Sequence, residues 1–385
     1  MQQSSADIRK AMEVRWNEYL SRNGSLFSSD ELSGASPPSV FVGSYGYPRV
    51  GVGPMVPPVH GDTSLMDAPE RWAGRPLDEI VNYRLSLVRG IRKTRVTGTS
   101  GRYIEGLQEA AMSRRPVDSD IRFEKPVSPA ALADGCCAPF GPVGEIRRAS
   151  FGGSSADGAI ERAYYDRDLG AADAAVALYD GGTEISRIQG CLSVGMLGRR
   201  RKLVPTRWSI TAVDDMVSKR LVGRIKDAPV SDAHQVFHYV HMGNLFSVVL
   251  FPHRWLFEMM EAYYSGGVLG FGADHEDARG LDHAPATAGA HFASRLAVAE
   301  HLCGRGVQAG ALVLREIRAE YSVPVGVWQV REGLRAAMAQ KPFVAGSLDE
   351  AIDEACRPMS ISRNEWLSHG SIMRLVRQRT LSEFF

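Results

Sequence analysis

The chain has 385 residues, 44% hydrophobic and 23% charged, and its 45 Lys+Arg against 44 Asp+Glu leave a net charge of +1. Such a composition is that of a globular protein; the length suggests two or three domains or one large α/β unit, and the charge excludes a histone-like polycation, so any nucleic-acid contact must come from local basic patches. Five scattered cysteines without a CxxC pair, a polar start "MQQSSADIRK" and no long uncharged apolar run predict a cytoplasmic protein with no structural zinc site, secretion signal or membrane span.

In chain order, residues 1–38 read as a short helix followed by a Ser/Gly/Pro-rich stretch. Ile8, Met12, Trp16 and Leu20 form one helical stripe in it. Val40–Val42 is a strand, and the Gly- and Pro-crowded segment after it, to Pro58, is expected to be a tightly turning loop. "PLDEIVNYRLSLVRGIR" is expected to be one helix, with Asp78 and Glu79 in its first turn. The middle reads as β-rich. "EISRIQGCLSVGML" and "KLVPTRWSITAVDD", up to about Ala212, are taken as strand-like, the following "AVDDMVSKRLVGRI" as helix and "GNLFSVVLFP" as a short buried strand. A helix then runs through "GAHFASRLAVAEHLCGRG" with Gly304 as its left-handed cap. Two more are expected at Leu348–Cys356 and Asn364–Arg377. The fold class is mixed α/β (α+β): a helical and Ser/Gly/Pro-rich start (1–38), a large mixed domain (39–284), a smaller α-rich portion (285–377) and a tail (378–385).

The first candidate chemistry lies in "VGSYGYPRVGVGP". Gly43, Gly46, Gly51 and Gly53 let backbone amides approach a phosphate, and Arg49 would neutralise it. The spacing matches neither the P-loop nor the dinucleotide fingerprint, and a structural turn is the commoner use of such glycines. Thr63, Arg84, Ser86 and Arg89 are the further candidates for this anionic pocket. Arg207, Ser209 and Thr211 would line one strand face opposite Trp208, assigned to the core, and Ile210. Asp62 and Asp214 are the candidate acid/base residues, although a helix cap is the commoner role for Asp214. Arg89, Arg92, Lys93 and Arg95 form a basic run, usually a solvated face. "GRRRK", Arg199 to Lys202, reads as a hairpin turn, either a DNA-backbone contact or a soluble loop. His238 and His241 with Glu258 have the residue types of a metal site, but i and i+3 on a strand face opposite ways, so structural histidines are the stronger reading and no metal is assigned. Arg315, Glu316, Arg331 and Glu332 are either buried ion pairs or a second anion-binding wall. No Ser-His-Asp, HExxH or nucleophile-elbow pattern occurs, so no reaction is named. No cofactor is assigned, a nucleotide being the one candidate ligand.

The tail "QRTLSEFF" sets Leu381, Phe384 and Phe385 on one side of a single helical turn, with Gln378 upstream. Burying one Leu and two Phe yields about 5–8 kcal/mol, and ordering the tail costs about half of that. Micromolar binding requires about 8 kcal/mol. The plug therefore suits either exchangeable recruitment or a staple onto the protein's own surface. Its Gln-x-x-Leu-x-x-Phe-Phe pattern resembles the PCNA-interacting peptide of replication and repair proteins.

The segments "SVFVGSYGYPRVGVGPMVPP", "GDTSLMDAPERW", "EIVNYRLSLVRG", "VPTRWSITAVDD", "HMGNLFSVVLFPHRWLFEMMEAYY", "ASRLAVAEHL" and "PVGVWQVREGLRAAM" together resemble the archaeal Nre family of DNA repair proteins, from about residue 38 to the end of the chain. The resemblance implies a role in DNA repair, DNA as a partner, nucleoid association and a sliding clamp held by Gln378, Leu381, Phe384 and Phe385. The N-terminal cysteine pairs of many family members are missing before Cys136, so no zinc site is carried over. Two other readings stand beside it. One is an enzyme on nucleotides or DNA bases (hydrolase, glycosylase or transferase); the other is a non-catalytic adaptor.

Overall fold

A computed structural model describes residues 13–19, 21, 24, 29–127, 141–265 and 268–377. The chain divides into two compact units. The N-terminal unit holds the described residues up to Val217 together with Val323–Gly326; the C-terminal unit holds Ser218–Ser322 and the described residues from Val327 onward. Both contain a mixed six-stranded sheet with helices, the α/β architecture expected from the sequence.

In the N-terminal unit the sheet order is β1 (Glu31–Ser36), β5 (Val117–Phe123), β6 (Val143–Phe151), β4 (Val88–Arg95), β3 (Arg49–Val56), β2 (Val40–Val42). Only β4 and β6 pair in parallel. The sheet curls, so that the Ser36 hydroxyl donates to the Met55 carbonyl (3.0 Å) and the Ala35 N–H to that of Val59 (2.8 Å). Strict alternation on β5 explains the layering. Val117, Ser119, Ile121 and Phe123 are buried, while Asp118, Asp120 and Arg122 are exposed. The buried face packs on α3 (Arg102–Met112), whose Ile104, Leu107, Ala110 and Ala111 are buried. The opposite face is open to solvent along β1, β5 and β6. Residues 13–19 form α1, with Trp16 buried; Ile8, Met12 and Leu20 lie outside the described residues.

Several elements differ from the sequence reading. The Gly-rich segment is mostly strand β3, paired with β2, and only residues 43–48 turn. The helix expected across 76–92 stops early. Helix α2 is Leu77–Ser86, and strand β4 follows with Arg89, Arg92, Lys93 and Arg95 on it. After α4 (Gly158–Tyr165) and α5 (Ala171–Asp180), the segment 184–197 expected to be strand-like holds no strand, and its residues 185–193 are helical. Helix α6 (Ile185–Ser193) buries Ile185, Ile188, Cys191 and Leu192, a stripe of period three to four. The segment taken as a strand before Ala212 is the start of α7 (Thr206–Ile225). Val213, Val217, Leu221 and Ile225 carry its i, i+4 stripe, all 4% exposed or less. Packing of that stripe outweighs the strand propensity of "TRWSIT".

The C-terminal sheet runs β10 (Val268–Glu276), β9 (Leu256–Ser265), β11 (Gly310–Ile317), β8 (Asn244–Phe251), β7 (His234–His241), β12 (Phe343–Ala345). Strand β8 is buried at every position, as its apolar run predicts for a sheet covered on both faces. One face meets α8 (Gly289–Arg305) and α9 (Trp328–Met338). The other packs Val249, Met260 and Leu312 against α10 (Leu348–Cys356), α11 (Arg363–His369) and α12 (Ile372–Arg377). Helix α8 ends on Gly306 in the left-handed conformation (φ 64°), two residues past the expected cap. The single helix expected at 364–377 is broken at Gly370 and Ser371. There the buried Glu258 carboxylate on β9 accepts the N–H groups of Ser371 (2.6 Å) and Ile372 (2.9 Å), forming the N-terminal anchor of α12.

Candidate nucleic-acid interface

The expected anion-binding residues fall into two groups on opposite ends of β4. Arg89 is 2% exposed; its guanidinium donates to the Gly141 carbonyl (3.1 and 3.2 Å) and lies 4.8 Å from the Phe41 ring centroid. Arg84 forms a 2.6 Å ion pair with Asp67 and covers Trp72, and Ser86 donates back to the Tyr83 carbonyl. The Thr63 hydroxyl donates to the Ala35 carbonyl, and Asp62 caps the next turn by accepting the Ser64 N–H (3.0 Å). Its hydrogen bonds with Ser64 hold the exposed Asp62 carboxyl below the usual range. A group kept ionised in this way is poorly matched to general acid/base work near neutrality. Asp214 is buried in mid-helix, accepting from the Gln189 side chain (3.1 Å), and so is not the cap expected of it. Ser209 is buried and bonds to the Thr206 carbonyl. Since Arg207, Ser209 and Thr211 lie on a helix, Arg207 and Thr211 (i, i+4) share a face and the buried Ser209 turns away from it.

The other group meets at the C-terminal end of β4. Gly43 and Gly46 belong to the turn between β2 and β3, where Gly46 takes φ 80°, a value its missing Cβ permits, and Arg49 follows as the first residue of β3. The N-terminus of α7 docks against this turn through the Val42 N–H, which donates to the Thr206 hydroxyl (2.9 Å). Two further bonds bring in neighbouring loops. Val96 N–H donates to the Pro48 carbonyl (2.9 Å), and Leu203 N–H to that of Val96 (2.7 Å). As a result Arg49, Lys93, Arg95, Lys202 and Arg207 surround one end of the sheet, all exposed. Arg49 and Arg95 are direct cross-strand partners, with Lys93 two residues along, about 7 Å away. Among the described residues none of the five has an acidic partner. The positive face continues onto Arg147 and Arg148 of β6, also exposed. On the far strands the charges pair instead: Arg122 with Asp30 and Glu31, His60 with Asp118.

Three aromatic side chains stand among these cations. Tyr45 is 86% exposed, Tyr47 52% and Trp208 43%, and the Tyr47 and Trp208 ring centroids are 5.3 Å apart. Trp208 is therefore a surface residue rather than the core residue expected. Arg49 and Arg207 were legible as candidates, while the tyrosines were not; the available signal was the Tyr-x-Tyr between glycines in the turn. In "GRRRK" the loop is not a hairpin between strands. Arg201 ties it to α4 through the Tyr164 (2.6 Å) and Asp166 (3.1 Å) carbonyls, leaving Arg199 and Arg200 exposed.

The buried arginines of the C-terminal unit are matched by carboxylates. Arg315 pairs with Glu261 (2.9 Å), Arg318 with Glu316 (2.8 Å), Arg331 with Glu332 (3.0 Å) and Arg335 with Glu300 (2.5 Å). These are buried or half-buried ion pairs, the first of the two sequence readings. Glu276, Arg295 and His291 form another such group, with Glu276 to Arg295 at 2.8 Å. Burial acts to raise the Glu276 carboxyl, but the His291 hydrogen bond and the Arg295 charge outweigh it and hold the group low. His238 and His241 lie on β7, with His238 against the Ser247 hydroxyl (2.9 Å), and burial lowers both. Burial also pushes the Cys191 thiol up to about 12 and Cys356 up to about 11, so neither is a thiolate nucleophile. Among the described residues no group of three or more His, Cys, Asp or Glu is arranged to hold a metal, and no helix is long and apolar enough to cross a membrane.

Comparison with known proteins assigns residues 10–269 to the model of the archaeal Nre N-terminal region and residues 276–384 to that of the Nre C-terminal region. The DNA repair protein NreB of Archaeoglobus fulgidus is 38% identical, covering 92% of both chains. The DNA repair protein NreA of the same organism is 35% identical over 91% of this chain and 89% of its own. NreA of Haloferax volcanii is 35% identical over 86% and 84%. No solved structure matches.

Proposed function

Because the chain belongs to the archaeal Nre family, we propose that it is a DNA repair protein whose N-terminal unit binds DNA and whose C-terminal peptide recruits it to a sliding clamp. The repair role is supported by the names of its relatives. DNA binding is supported by one observation above all: the exposed cations Arg49, Lys93, Arg95, Lys202 and Arg207 gather at one end of a sheet without a carboxylate beside them among the described residues. In a chain of net charge +1, such segregation leaves a local field for a polyanion. A protein of this kind works at the nucleoid.

The clamp-binding residues Gln378, Leu381, Phe384 and Phe385 lie outside the described residues, and the sequence pattern alone supports that part. A peptide of residues 374–385 titrated against a PCNA-type clamp should bind with micromolar Kd, and Phe384→Ala with Phe385→Ala should abolish it. In the full chain the same pair should leave the melting temperature unchanged; a drop of several degrees would return the tail to the protein's own surface. The enzyme reading is not favoured, because Asp62 and Asp214 are engaged elsewhere and the anion-binding candidates divide between two ends of β4.

A further inference from the structure

We infer that the β2–β3 turn and the first turn of α7 form a stacking site for unpaired bases, so that the preferred ligand of the basic end is single-stranded DNA. The inference rests on the DNA-binding reading above and names its substrate class. Tyr45, Tyr47 and Trp208 are exposed where a soluble protein has reason to bury aromatics, and Tyr45 is the most exposed large hydrophobic side chain among the described residues. All three sit on one end of the unit and keep a large exposed area among the described residues. Tyr47 and Trp208 are already in contact at an interplanar angle of 56°. The two rings therefore present faces in different directions, as two successive unstacked bases would require. The backbone beneath is fixed by the Val42–Thr206 and Val96–Pro48 hydrogen bonds, so the platform exists before a ligand arrives.

Charge and stacking divide the work. Arg49 and Arg95, opposite each other on β3 and β4, and Arg207, one residue before Trp208, supply the phosphate contacts. A duplex exposes phosphates but keeps its base faces stacked inside, so it can use the arginines and not the rings. A single strand can use both, in the manner of sequence-tolerant stacking platforms. Stacking uses the face that every base has, which makes the site tolerant of sequence.

The test is fluorescence anisotropy on the full chain with four ligands of one length: a mixed-sequence single strand of DNA, its duplex, an abasic spacer strand and the RNA counterpart. The single strand should bind tightest. Tyr47→Ala with Trp208→Ala should weaken it by about tenfold or more while leaving the abasic strand and the salt slope unchanged. Trp208→Phe should restore most of the loss. Arg49→Ala with Arg95→Ala should weaken all DNA ligands and flatten the salt slope by about 0.7 per cation on a single strand. Equal affinity for duplex and single strand, no effect of the aromatic pair, or a preference for RNA would each overturn the inference while leaving nucleic-acid binding intact. No binding to any ligand would overturn the DNA-binding reading itself. All four side chains are exposed, and unchanged melting temperatures would confirm that the variants are folded.

Discussion

The arginines of the C-terminal unit and those at the basic end of the N-terminal unit are the same residue under opposite conditions. Arg295, 1% exposed, meets Glu276, and Arg315, Arg331 and Arg335 each meet a carboxylate. Arg49, Arg95 and Arg207 are exposed, and among the described residues none of them has one. A desolvated guanidinium is tolerable only with its charge matched inside the protein, so an internal pair reports on folding. An exposed cation costs the fold little and keeps its donors available. Among cations of one type, the absence of a partner together with exposure is what separates a binding surface from a scaffold.

The sharpest way to break this contrast is to open one internal pair. Glu276→Ala leaves Arg295 buried beside a missing carboxylate and should cost about 3–5 kcal/mol in denaturant unfolding. Affinity for DNA, measured under conditions where the variant remains folded, should not change. The converse set is Arg49→Ala, Arg95→Ala and Arg207→Ala combined. Each should shift stability by less than about 0.5 kcal/mol, while the log–log salt dependence of single-strand binding flattens by about 2 in slope. Equal losses of stability in the two experiments would dissolve the distinction.

A smaller effect follows from pH. Burial lowers the folded-state values of His238, His241 and His301 below the ordinary 6.5. Between those lowered values and 6.5 the unfolded chain binds more protons than the folded one, so stability rises with pH and is lost as pH falls from about 6.5. Glu258 acts in the opposite sense, since burial raises it. His301→Phe removes one histidine beside the Phe237 ring and should give a flatter stability profile between about pH 5 and 7 than the parent. An unchanged profile would show that His301 does not contribute.

Much of the scaffold could be read from residue patterns, and the reasons for the failures are physical. Asn244–Phe251 and Leu348–Cys356 were legible because one is a continuous apolar run between turn residues and the other an amphipathic run, with Ser347 capping it by accepting the Glu350 N–H. Strand β4 was not, because its outward side carries Lys93 and Arg95, and "VRGIRKTR" then resembles a polar helix end. The segment around Thr206 is rich in β-branched and aromatic residues, and only the burial of Val213, Val217, Leu221 and Ile225 further along α7 settles its conformation. At the site, charge was legible at Arg49 and Arg207, since arginine points to anions wherever it lies. The tyrosines were hidden because exposure is a tertiary property, which the chain order of Tyr45 and Tyr47 does not contain.

The Glu258 anchor of α12 sets where the chain can be shortened. A deletion of residues 378–385 keeps Ser371 and Ile372, so the carboxylate retains both N–H donors. A deletion beginning at Ser371 removes them and also the buried Ile372, leaving an acid inside the unit with its main partners gone. Chains ending at Arg377 are therefore the clean controls for the tail. Those ending before Ser371 would report the collapse of a helix anchor and could be mistaken for loss of a recruitment signal.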